Sequence, residues 1–200
     1  MGLAVAFYKP WDWFELDNNT LYQSDEYDST VVSVPISWQA LLGNTDRQLL
    51  QNLRDKKTQL NQQFPEGTEL SMESELLASA LTAQTWQSLD GYQINADVVG
   101  QYASLPGFLV PLELNEGKVR SFFIVPYYGA CLHYPPPPPN QIVYVQLPDY
   151  IPLPDMQLAY KFTGVLSETL FEDPMGTSAW GMDVSAISAY SAPTDDVRVH

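Results

Sequence analysis

The chain has 200 residues, 24 of them acidic and 9 basic, for a formal charge of −15. That length makes one domain, or one domain with an appendage, and 45% hydrophobic residues suffice to bury a core. The acidity argues against binding nucleic acid or an anionic membrane surface; the single cysteine excludes an intrachain disulfide and a four-thiolate zinc site.

Residues 1–36 read as an N-terminal extension. Met1–Phe7 is apolar, and Tyr8-Lys9-Pro10-Trp11 follows as an aromatic, basic border. The pattern resembles the remnant of an export signal or anchor, too short for a complete signal peptide. A plain N-terminal strand is the other reading. Residues 8–30 are aromatic and acidic and are expected to be irregular. Val31–Val34 is β-branched and is stopped by Pro35, which predicts a short strand. Nothing in the sequence approaches the ~18–20 apolar residues of a membrane span.

Residues 37–87 predict three helices. Ser37 can cap a short one through Leu42, with Gly43 ending it. Thr45 and Gln48 form a capping-box pattern. Leu49, Leu50, Leu53 and Leu60 then share a face, and Phe64-Pro65 stops the run. Ser71 can cap the third helix, with Glu73 and Glu75 favouring its dipole. Its stripe of Met72, Leu76, Leu77, Ala80 and Leu81 is expected in the core.

Residues 88–192 predict a β domain, with 193–200 as a tail. Strands are expected near Val98–Tyr102, Gly107–Leu112, Ser121–Pro126, Gln141–Leu147, Leu158–Ser167 and Trp180–Tyr190. Asn115-Glu116-Gly117-Lys118 reads as a hairpin loop; Pro148–Pro154 and Glu172–Ser178 read as loops. Short strands with short connections favour antiparallel neighbours. The fold class is α+β: a helical N-terminal part followed by a small OB-like, mainly antiparallel β-barrel.

One segment carries candidate chemistry. Tyr127-Tyr128-Gly129-Ala130-Cys131-Leu132-His133-Tyr134 precedes five prolines, Pro135–Pro139, and then Asn140-Gln141. In extended backbone, Cys131 and His133 point to one face, and a polyproline II rod about 15 Å long would fix the chain that follows. A thiolate and an imidazole together suit zinc or copper, with Glu113 or water completing the ligand set. A Cys–His nucleophile is a second reading, and thiol redox lacks a resolving cysteine. Alternatively, Cys131 is a small buried hydrophobe and His133 a hydrogen-bonded strut. Tyr127, Tyr128 and Tyr134, with Asn140 and Gln141, are candidates for a partner-binding patch. No GxSxG, HExxH, P-loop or GxGxxG pattern occurs, so no enzyme activity is expected.

The blocks Leu105-Pro106-Gly107-Phe108-Leu109-Val110-Pro111-Leu112-Glu113 and Tyr127–Gln141 resemble a bacterial family, domain of unknown function 3299, over roughly residues 88–190. Gly107, Glu113, Tyr128, Gly129, Cys131, His133, Asn140 and Gln141 match the family's pattern. The chain departs from it by extra residues around Tyr92–Tyr102. The resemblance implies an exported or lipid-anchored protein of Gram-negative bacteria, from a family with some members encoded beside ABC-type permeases related to lipoprotein release and beside zinc-responsive genes. The expectation is therefore a non-enzymatic periplasmic or envelope accessory protein. It would bind a divalent metal such as zinc at Cys131 and His133, or assist a membrane transporter. An interaction module without metal is the alternative, and an enzyme using Cys131 is the third reading.

Overall fold

The computed structural model describes residues 20–64, 71–130 and 137–191. Two short strands come first, β1 (Thr20–Gln23) and β2 (Val34–Pro35). Helices α1 (Trp38–Leu41), α2 (Asn44–Gln63) and α3 (Ser71–Ser88) follow. Then come β3 (Tyr102–Asn115), β4 (Lys118–Val125), β5 (Val143–Pro152), β6 (Tyr160–Asp173) and β7 (Gly176–Ala189).

Strands β3 to β7 close into a five-stranded barrel in the order β3, β4, β5, β7, β6 and back to β3. All neighbours are antiparallel except β5 and β7, which run parallel at Val143↔Trp180 and Tyr144↔Gly181. This is the Greek-key closure of an OB-like barrel. Strand β3 belongs to both sides of the closure. Its first half, Tyr102–Gly107, pairs with β6, and its second half, Phe108–Asn115, pairs with β4. The change of partner falls at Gly107. A Cβ there would lie 2.6 Å from Ile124 Cγ2 and 3.1 Å from the Trp38 ring, so only glycine lets the strand pass. Strand β1 extends the sheet antiparallel to β7, and β2 runs parallel to β3.

Alternation along the strands fills the interior. Leu105, Leu109, Phe122, Ile124, Val143, Val145, Phe162, Trp180 and Met182 share one core. Trp38, Leu41, Leu42 and Leu50 belong to the same core, so the start of the helical segment packs against the barrel interior. The Trp38 indole donates to the Pro106 carbonyl at 2.7 Å, fixing α1 beside the bend in β3.

Several boundaries differ from the sequence reading. Helix α2 begins at Asn44 with Gly43 at its cap position, so Thr45 lies inside the helix. The residues expected to start a strand at Val98 form a single 3-10 turn, Ala96–Val98, capped by Asn95. Strand β5 continues through Pro148, where its register with β4 shifts between Val119 and Ser121 and the proline needs no ladder partner. Strands β6 and β7 extend through the expected loop at Glu172–Ser178 to a tight turn, Asp173 pairing with Gly176. Thr20–Gln23, within the stretch expected to be irregular, is paired to β7.

The largest difference concerns α3. Its apolar stripe, expected in the core, faces outward: Met72 is 73% exposed, Leu76 69% and Leu77 50%. The helix packs on α2 through the opposite face, where Ser74 is buried. No helix among the described residues is long and apolar enough to cross a membrane.

Candidate functional site

Strand β4 reads Phe122-Phe123-Ile124-Val125, without polar alternation, because both of its faces are covered. Phe122 and Ile124 point into the barrel. Phe123 and Val125 point outward into a second cluster with Tyr127, Ala130 and Ile142, against which Phe108, Val110, Leu112, Tyr144 and Phe171 pack. Phe171 arrives from the far end of the β6–β7 hairpin. It stacks on Tyr144 with centroids 3.8 Å apart and 12° between planes, and meets Phe123 edge-on at 6.0 Å. The outer face of β3, β4 and β5 is therefore an aromatic platform partly roofed by the chain's own hairpin.

Tyr128 stands at the rim of this platform. It is 51% exposed, and its ring lies 6.2 Å from Phe108 in a tilted contact. Gly129 follows with φ +76°, a left-handed conformation that suits glycine and turns the chain so that Ala130 is buried. Tyr127, adjacent in sequence, is buried in the platform. The two tyrosines expected to act together thus divide: one packs the platform and the other stays half-exposed.

A polar group borders the face. The Tyr150 hydroxyl donates to Glu113 Oε1, and the Arg120 guanidinium carbon lies 5.9 Å from the Tyr150 ring centroid. Its hydrogen bond to Glu113 raises the Tyr150 phenol above its usual range. Burial, followed by the Glu113 charge, raises Tyr144 likewise. Glu113 pairs with Ser121. It is therefore about 13 Å along β4 from Val125, at roughly 3.3 Å per residue, and β4 leads away from it toward Ala130. The expected joining of Glu113 to a metal with Cys131 and His133 depends on residues outside the described ones.

Cys131, His133 and Tyr134 lie outside the described residues. Among the described residues, no group of three His, Cys, Asp or Glu side chains is arranged to hold a metal ion.

Asn140 and Gln141, expected on a partner-binding patch, are instead fully buried and offer no side chain to the surface. Asn140 Nδ2 donates to Asp46 Oδ2 at 2.8 Å and to the Gln93 carbonyl at 2.9 Å. Gln141 Nε2 donates to the Trp38 carbonyl at 2.8 Å. Asp46, in the first turn of α2, also accepts the backbone N–H groups of Asp90 at 3.0 Å and Gly91 at 3.1 Å. The proline segment ends on the same spot: Asn140 N donates to the Gly91 carbonyl at 2.7 Å. These residues fasten the helical segment to the entry of β5. Burying polar groups this deeply is tolerable because most of their hydrogen-bonding atoms are paired.

Sequence reasoning missed Phe108, Phe123, Tyr144 and Phe171 as a set, and Asp46 altogether. The non-alternating run of β4 was the one available signal for the outer cluster. Asp46 had none, since its partners lie 44 to 94 residues away.

The fold and site define an OB-like barrel protein with a helical front and an aromatic outer face. The chain belongs to the DUF3299 family of proteins of unknown function, whose sequence profile matches residues 38–189. That span includes α1, α2 and α3 and so reaches well before residue 88, where the sequence resemblance begins. The chain is similar to the crystal structure of a DUF3299 family protein from Pseudomonas aeruginosa PAO1. They share 26% identity with a TM-score of 0.55, over 81% of this chain and 99% of that one. Comparison with curated proteins gave no match.

Proposed function

We propose that the protein is a non-enzymatic accessory domain of the cell envelope that holds a partner polypeptide on the outer face of β3, β4 and β5. The observation that carries this reading is Tyr128, half-exposed at the edge of an otherwise packed aromatic platform. An amphipathic ring held by a rigid sheet is a good anchor at low entropic cost. OB-like barrels use this same outer face for extended ligands. A nucleic-acid ligand would need a basic groove. Here the polar border sets Glu113 and Arg120 each against Tyr150, in a chain of charge −15. The ligand chemistry is therefore an extended peptide segment with apolar side chains and basic flanks, from an envelope protein or an ABC-type transporter.

Ala130 packs in this outer cluster immediately before Cys131. A zinc ion held by Cys131 and His133, which follow Ala130 in sequence, is the second element of this reading.

Affinity recovery from solubilised envelope fractions tests the reading. Wild type and Cys131→Ala should retain a common partner, while Tyr128→Ala should lose it without a change in melting temperature. Equal recovery by Tyr128→Ala would end this proposal.

A further inference from the structure

Helix α3 carries a second surface, independent of the barrel face. Met72, Leu76, Ala80 and Ala83 are all exposed and recur at spacings of four, four and three residues. They line one side of the helix over about 16 Å, at 1.5 Å per residue. Leu77 widens the stripe, and nothing among the described residues covers Met72, Leu76 or Leu77.

The order of sizes along the stripe is informative. It reads large, large, small, small from the N-terminal end. Two copies of such a stripe laid antiparallel about a two-fold axis complement one another. Leu76 then faces Ala80 of the second copy, and Met72 comes within one residue of Ala83 of the second copy, with the same pairs repeated by symmetry. The alanines allow the close approach of helix axes that interlocking side chains require. A parallel pairing would set Met72 on Met72 and Leu76 on Leu76, leaving a gap at the alanine end.

Charge selects the same orientation. Glu73 and Glu75 flank the stripe at its N-terminal end. Parallel helices would bring the four carboxylates together, and like charges at that spacing repel. Antiparallel helices separate them and place each pair beside the second copy's uncharged Ala80–Ser88 half. The same glutamates oppose insertion into an anionic lipid surface.

We propose that the protein is a homodimer formed by antiparallel packing of α3 on α3 of a second copy, in the register that opposes Leu76 to Ala80. Sedimentation equilibrium of the full chain should give twice the chain mass of 22.5 kDa. Leu76→Ala removes apolar area at two symmetric sites and should weaken the dimer on the order of a hundredfold. Ala80→Leu should weaken it through steric crowding. Leu76→Ala combined with Ala80→Leu exchanges the two sizes, restores each opposed pair, and should recover most of the affinity. All these side chains are exposed in the single chain, so the variants should keep the wild-type melting behaviour of the monomer. A monomeric wild type would overturn the proposal and assign the stripe to an unlike partner or to another segment of the chain. A dimer that the double exchange fails to restore would overturn it too.

Discussion

Replacing Asp46 by alanine measures how the helical segment is fastened to the barrel. The side chain is fully buried and accepts from Asp90 N, Gly91 N and Asn140 Nδ2 at 2.8 to 3.1 Å. Hydrogen bonds to a charged acceptor contribute about 1.5–3 kcal/mol each, and orphaned buried donors carry a further cost. The three do not add fully, because the exposed Asp90 can turn to water once released. A loss of about 3–5 kcal/mol follows, or a fall in melting temperature of roughly 10–15 °C for a domain of this size. Asp46→Asn keeps the shape but turns an amide N–H₂ toward one of the donors, and should cost about 2 kcal/mol. Thermal and urea denaturation followed by circular dichroism read both values. A melting temperature for Asp46→Ala within about 2 °C of wild type would refute the reasoning, since buried donors would then have lost their acceptor at no cost.

Phe171→Ala removes the ring stacked on Tyr144 and should destabilise by about 1.5–3 kcal/mol, with Tyr144 becoming more accessible to iodination; an unchanged Tyr144 reactivity contradicts the hairpin roof. Gly107→Ala forces a methyl against Ile124 and Trp38 and should lower stability by at least about 2 kcal/mol, whereas a neutral effect would mean that β3 can bend elsewhere. Burial raises the phenols of Tyr22, Tyr144 and Tyr160 above the usual value of 10.0, with nearby carboxylates adding to the shift. Raised folded-state values stabilise the protein while the groups are protonated. That contribution is complete below the unfolded value and is lost as pH rises from there through the folded values. Absorbance titration at alkaline pH should therefore show late-ionising tyrosines in the native state, and a single native titration at the free-tyrosine value would rule this out. Zinc titration should find about one ion per chain, abolished by Cys131→Ala with His133→Ala. No zinc uptake by wild type removes the metal from the proposed function.

Local patterns made much of the barrel legible. The β-branched and aromatic runs located the five barrel strands, and Asn115–Lys118 located the hairpin between β3 and β4, because strand pairing and turn chemistry act over a few residues. The apolar face of α2 could likewise be recognised from Leu50 and Leu53, both of which are buried. Periodicity reports that a helix has an apolar side, but not whether anything packs on it. That is why the α3 stripe, indistinguishable from a core stripe in sequence, emerges exposed. Tyr127 and Tyr128 are adjacent and chemically alike, yet the backbone turn at Gly129 leaves only Tyr128 half in water. The greatest contrast is at Asn140 and Gln141. Their polar side chains suggested a surface, and only closure of the barrel against α1 and α2 brought Asp46, Gln93 and Trp38 to their amides. The sequence alone determined the three helices, the approximate places of the five barrel strands, the acidic character and the motif that placed the chain among its relatives. Tertiary structure decided which polar groups are internal fasteners and which apolar groups remain open, since hydrogen-bond partners far apart in sequence become neighbours only when the chain is packed.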